Sequence, residues 1–368
     1  MEKGVVRRVA VIGAGIAGAA CAQALAQAGH AVHVFDKARG PGGRLATRRM
    51  AWVDADGQPC TTRLDHGALG ITARSTPWRA FVQQAQQAGW LAEWRPTLAP
   101  GSLPLEDAAG FHVPMPDSPE LCRRLLAGVA TTWSCAIDNL RWTAPGWQVE
   151  AAGQRQGGPF DAVVLALPPA QAAPLLSTHR RDWARHAALA PMQPCWTLMG
   201  VAAESLDGRA PGWDLARPPS GPLAWVMRND ARLGRARVPG QAHWVAHARP
   251  GWSRQNLEQA PDEVQQQLQA ALADTLGQPV DWLHCTVHRW RYALPQTRLT
   301  APGESFWWDA AQGLGVCGDF LGGVGVEGAW LSAHSLSAAL QQQAGDAARP
   351  GLAAAPVQPP PTGHEVRL

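Results

Sequence analysis

The sequence predicts an α/β protein, with a mainly parallel sheet assembled from distant parts of the chain and a second domain of mainly antiparallel strands. Three observations carry this. Residues 9–36 read VAVIGAGIAGAACAQALAQAGHAVHVFD, an apolar run, a glycine-rich turn, an alanine-rich helix stopped by Gly29 and an alternating strand. Residues 313–340 read GLGVCGDFLGGVGVEGAWLSAHSLSAAL, a strand, a second glycine-rich turn and a helix. Between them, GPLAWVMR (221–228) and QAHWVAHAR (241–249) alternate with the period of half-buried strands. At 368 residues the chain exceeds the size at which one core stops growing, roughly 250–300 residues, so two domains are expected.

The first element is a βαβ unit opening at residue 9. Its turn, G-A-G-I-A-G, has the spacing of a dinucleotide-binding fingerprint. Gly13 allows the tight turn, Gly15 lets a pyrophosphate approach the backbone, and Gly18 lets helix and strand pack closely. Amides near Ala14, Ile16 and Ala17 then face the phosphates, which the helix dipole favours. Asp36 closes the second strand, placed to accept hydrogen bonds from the adenosine ribose and to disfavour a 2′-phosphate. The basic start and apolar run imitate a signal peptide, but the spaced glycines and the following strand argue for a Rossmann-like unit. The motif alone leaves FAD and NAD open.

The next residues decide between them. D-K-A-R-G-P-G-G-R, residues 36–44, resembles the flavin-dependent amine oxidase superfamily, and most of all the renalase family in its bacterial form. The resemblance implies an architecture of the p-hydroxybenzoate hydroxylase and amine oxidase type: a discontinuous Rossmann-like FAD-binding domain with an antiparallel substrate domain. It also implies noncovalent FAD held by Lys37, Gly43 and Arg44 in addition to the first turn. RLDHGALGITAR (63–74) is similar to the family segment that runs along the flavin and forms the substrate floor. Asp65, Gly67, Ala68, Thr72, Ala73 and Arg74 match it, whereas Leu69, Gly70 and Ile71 replace a glutamine and two aromatics. By this match Ala68 and Leu69 touch the cofactor and Gly70, Ile71, Thr72 and Arg74 line the substrate, with Arg74 as an anchor for phosphate or carboxylate.

In the C-terminal block the resemblance places Asp319 on a ribityl hydroxyl and the amides of Val326 and Glu327 at the flavin edge, where a helix N-terminus stabilises negative charge. The family's arginine at position 325 is replaced by glycine. HARPGWSRQNL (247–257) and HRWRYALP (288–295) also match family blocks, and Trp252, Arg289, Trp290 and Tyr292 in them read mainly as packing. Trp196, in MQPCWTLMG, falls on a substrate-domain strand, where it reads first as a core tryptophan and second as a ring that stacks on a nicotinamide. Val264, Leu268, Leu272 and Leu276 form one face of a helix begun by Pro261, Asp262 and Glu263 and ended by Gly277.

These pieces assign 1–75, 115–175 and 286–345 to the FAD-binding domain and 76–114 and 176–285 to the substrate domain. The proline- and alanine-rich residues 346–368 are expected to be a disordered tail. A net charge of +3 gives no footprint for nucleic acid or a membrane surface, and no apolar run reaches a membrane span. Seven cysteines without a C-x-x-C pair and twelve histidines without H-E-x-x-H predict neither disulfides nor a metal site, and a cytoplasmic location.

The resemblance implies an FAD-dependent oxidase acting on the 2- and 6-dihydro isomers of NAD(P)H, with O2 reduced to H2O2. A dihydronicotinamide is itself a hydride donor, so no catalytic side chain is expected. An amine oxidase is the alternative within the superfamily, but its flavin-side lysine has no counterpart, since Lys3 and Lys37 are the only lysines. A third reading is a non-catalytic FAD-binding protein.

Overall fold

A computed structural model describes residues 7–105, 110–204, 211–299 and 304–347. Its parallel sheet has the order Trp307–Asp309, Leu314–Val316, Ala162–Leu165, Arg8–Ile12, Ala31–Phe35 and Ala130–Thr132, and only the first strand runs antiparallel. Strand alternation sends Val9, Val11, Val32 and Val34 into one core, beneath the helices Ile16–Gln27 and Gly325–Ala347. Ala10, Ile12, Phe35, Val163 and Leu165 enter the other, with Trp147, Phe160 and the helix Pro169–Leu176. The near-continuous apolar runs of these strands follow from burial on both faces.

The second sheet is antiparallel, ordered Leu215–Ala216, Leu223–Arg228, Gln241–Ala248, Met192–Ala203 and Trp282–Pro295. One face packs on the helix Pro261–Leu276, which buries Val264, Leu268 and Leu272 and ends at Gly277 in the left-handed conformation its missing side chain permits. The opposite face meets the hairpin Thr47–Val53/Pro59–Asp65 and the pair Leu91–Trp94/Phe111–Pro114 through Met50, Leu64, Trp94, Val113, Met199 and Val245. The architecture is therefore the expected α/β one with a separate antiparallel layer.

Two boundaries differ from the sequence reading. A division at 286 falls inside the strand Trp282–Pro295, which pairs along Met192–Ala203 and keeps residues 286–295 in the antiparallel sheet. The helix Thr76–Gln87, assigned above to the substrate domain, buries Trp78, Val82 and Ala85 in the core of the parallel sheet, where Trp78 lies 5.2 Å from Trp330. Its apolar stripe had no partner legible in sequence. The helix that begins at Gly325 extends to Ala347, and the rest of the expected tail lies outside the described residues.

Candidate cofactor and substrate site

The carboxyl ends of four neighbouring parallel strands bring the glycine turns together. Gly13 takes φ +106°, a conformation open to glycine, and donates to the Phe35 carbonyl at 2.8 Å. A Cβ on Gly18 would overlap the Gly13 carbonyl oxygen, so helix and turn touch only because position 18 has no side chain. Asp36 accepts from the amides of Ala14 (2.6 Å) and Ala38 (2.7 Å). The Ala14 amide is thus committed to Asp36 rather than turned outward as the motif suggests. The first intrahelical bond runs from Ala19 N to Gly15 O, which leaves Ile16, Ala17 and Gly18 to present amides in a first turn free of acidic side chains.

The second turn lies directly on the first. Gly15 and Gly42 form a bridge, Gly42 donates to Ala14 O at 2.9 Å, and a Cβ on Gly43 would sit 3.0 Å from the Gly15 Cα. From there Arg44 reaches across the molecule, donating through Nη1 and Nη2 to the two oxygens of Asp319, both at 2.7 Å, and through Nη1 to Ala293 O. Lys37 stays exposed and donates to Gln171. Residues 66–68 run beside the turn, His66 N bonding Ala46 O and Ala68 N bonding Arg44 O. A Cβ on Gly67 would overlap the Arg44 carbonyl, which explains the glycine there.

Asp319 is 1% exposed and begins a short helix, Asp319–Gly322, instead of ending the preceding strand. That strand stops at Val316, and Gly318 N donates to Ser332 Oγ on the long helix, drawing the chain out of the sheet. The long helix starts at Gly325, next to Val326. Glu327 does not cap its own helix. Its carboxylate accepts from the amides of Arg74 (3.0 Å) and Ser75 (2.7 Å), fixing the end of the expected substrate floor to the C-terminal block.

The floor itself is rearranged. Ile71 is 1% exposed and exchanges two backbone bonds with His112, making it a core residue rather than a substrate contact. Thr72 uses its carbonyl to accept from Trp78 Nε1. Arg74 is exposed, and Leu69 packs beside Phe111 on the antiparallel layer. At Gly70 a Cβ would meet the Phe111 side chain at 2.7–2.9 Å. Phe111 therefore fills the space that a larger residue at 70 would take, a substitution across two segments that pattern reading did not detect.

Trp196 takes the core position of its two readings and not the substrate one. It is 2% exposed on the sheet face that packs against Pro261–Leu276 and donates to Asn256 O, with its amide on Ser253 Oγ. Adjacent strand residues point to opposite faces, so Thr197, not Trp196, shares the site face with its cross-strand partners His247 and His288. On that face the His66 ring lies 4.9 Å from His288 and 5.1 Å from Trp290, and Trp290 Nε1 donates to His66 O. Burial, together with His288 and Arg48 nearby, pushes His66 down to about 3, and burial pushes His247 to about 4. His288 is lowered too, by burial and then Arg48. These rings are neutral at pH 7. His66 and His288 were visible inside matched blocks, but nothing in their spacing showed that they meet.

Residues 11–85 match the family described as NAD(P)-binding Rossmann-like domain. A 198-residue stretch is 31% identical to the tRNA 5-methylaminomethyl-2-thiouridine biosynthesis bifunctional protein MnmC of Magnetococcus marinus, covering 44% of this chain and 29% of that protein. The match spans less than a third of the curated relative's length. Among solved structures, cyclohexylamine oxidase from Brevibacterium oxydans is similar with a TM-score of 0.60 at 12% identity, over 92% of this chain and 99% of that one. An oxidoreductase from Methanosarcina mazei gives 0.60 at 16% identity over 89% and 99%, and a redesigned putrescine oxidase 0.62 at 14% over 92% and 99%. At these identities the likeness establishes the fold.

Proposed function

We propose that the protein is an FAD-dependent oxidoreductase, and that it is an oxidase of the renalase kind. It would take hydride from 2- and 6-dihydro isomers of NAD(P)H, releasing NAD(P)+, and pass the electrons to O2 to give H2O2. The observation that carries the cofactor reading is the continuous line of contact from the Gly13 turn through Gly42, Gly43 and Arg44 to Asp319.

The residues along this line suit a dinucleotide. A Cβ on Gly15 would meet only the neighbouring glycine turn, at 3.8 Å or beyond, and at Gly323 and Gly325 it would meet nothing within 4 Å. The backbone is thus bare where a long cofactor has to lie close. Amides of Ile16, Ala17 and Gly18 at a helix N-terminus would hold pyrophosphate. Asp36 keeps lone pairs for ribose hydroxyls beyond its two amide bonds. Arg44 orients Asp319, whose remaining lone pairs would accept from polyol hydroxyls, and the start of the helix Gly325–Ala347 would supply the positive dipole end. Bound FAD would supply a hydride acceptor at N5.

The substrate side offers the rings of Trp290, His288 and Phe111, with His66 stacked behind Trp290, and its histidines are held so far below their ordinary pKa that they are weak bases. This suits a donor that gives up hydride without prior deprotonation. The expectation of noncovalent FAD and of Arg74 as substrate anchor belongs to the same proposal. Mixing the flavin-loaded protein anaerobically with borohydride-reduced NAD, and separately with amines, tests it. Rapid bleaching by the dihydro isomers alone supports the renalase-kind reading, bleaching by amines alone replaces it with amine oxidation, and bleaching by neither overturns both.

A further inference from the structure

Behind the histidine wall lies a group of charges that the proposed reaction does not use. Asp65, Arg232 and Arg235 have side chains 1%, 0% and 4% exposed. One Asp65 oxygen accepts from Arg232 Nη1 at 2.8 Å and from Arg235 Nε and Nη2, and the other accepts from Thr47 Oγ1 and Ser118 N. A carboxylate has about four lone-pair sites, so five donors saturate it. Arg235 completes its bonding on the carbonyls of Pro114 and Leu233.

Arg232 has no such completion. Its Nε and Nη2 are buried and have no hydrogen-bond partner. These two nitrogens form one edge of the guanidinium plane, the edge that grips an anion with two parallel N–H groups. On another side the guanidinium carbon lies 5.6 Å from the Trp94 ring centroid. The charge balance agrees with the geometry. Two buried guanidinium groups face a single carboxylate, and the neighbouring His66 and His247 are neutral, which leaves one positive charge uncompensated. A water molecule would satisfy the two N–H groups and leave that charge in place, at a cost an interior does not tolerate cheaply.

We propose that the Nε–Nη2 edge of Arg232 binds a small monovalent inorganic anion of the halide class. The Arg232 side chain is fully buried, which favours a small ion that sheds its water over a bulky organic anion. The ion completes the neutralisation of the Asp65 cluster and thereby stabilises the fold.

Crystals of the flavin-loaded protein grown in gluconate and soaked in bromide test this directly. The expected result is an anomalous peak at hydrogen-bonding distance from both Arg232 Nε and Nη2. A water there without anomalous signal overturns the proposal. In solution at fixed ionic strength, replacing gluconate by chloride should raise Tm by roughly 2 °C at ten times the dissociation constant. Arg232→Met should lose that response. A Tm that follows ionic strength but not anion identity in the unaltered protein also overturns it, whether or not the variant folds.

Discussion

Arg44 and Asp319, 275 residues apart in the chain, meet as a two-handed ion pair with both N···O distances 2.7 Å. The pair ties the second glycine turn to the start of the C-terminal helices, and it is asymmetric: the Asp319 side chain is 2% exposed and that of Arg44 31%. Arg44→Ala leaves a buried carboxylate unpaired and should cost about 2–3 kcal/mol in urea unfolding. FAD retention should fall several-fold, with turnover of the loaded fraction changed less than twofold. The double variant Arg44→Met/Asp319→Asn should recover most of the stability without recovering the flavin. Full flavin content in either variant would remove the pair from the cofactor site.

A Cβ on Gly18 overlaps the Gly13 carbonyl. Gly18→Ala should force the turn open and cost about 3 kcal/mol, at the level of a serious packing clash. Flavin titration of the folded variant should show loss of binding, whereas Gly251→Ala, with no positive φ and no atom within 4 Å of its Cβ, should retain the cofactor.

Phe111 closes the gap beside Gly70, and it should carry substrate contact rather than cofactor contact. Phe111→Ala should raise KM for the dihydro isomer about fivefold, equivalent to about 1 kcal/mol of aromatic contact, with kcat and flavin content unchanged. A fall in kcat at constant KM would contradict this placement.

The histidine wall predicts a pH dependence. His66 is lowered from 6.5 to about 3, so the unfolded chain binds a proton in the interval that the folded chain does not. Stability therefore falls as pH drops below the unfolded value of 6.5, and at pH 5 His66 alone contributes a loss of about 2 kcal/mol. Asp65, held below the usual carboxylate range, keeps its contribution throughout that window. Urea unfolding at pH 7 and pH 5 should show the loss, and His66→Gln should reduce it by about that amount.

What was legible in the sequence follows from the range of each interaction. The residue 9–36 unit and the helix Pro261–Leu276 were readable because caps, glycines and periodicity act within a few residues. Asp36 and Arg44 were placed by motif, but the use of the Ala14 amide by Asp36 and of Arg44 by Asp319 depends on contacts between distant segments. Trp196 stayed open between core and substrate face because strand alternation gives two faces without saying which one packs on a helix. Ile71 was misplaced because its pairing partner, His112, lies across an intervening helix in sequence. Phe111 escaped notice for the same reason: the signal was an empty position, Gly70, and its filler belongs to another strand.

In the proposed function, the two glycine turns and the Arg44–Asp319 pair hold noncovalent FAD. The most direct measurement is the flavin released on acid denaturation of protein purified in the presence of FAD, set against protein concentration. About one FAD per chain is expected, all of it in the supernatant and identified as the dinucleotide by mass. Protein that carries no flavin and gives no binding isotherm on titration with FAD would contradict it.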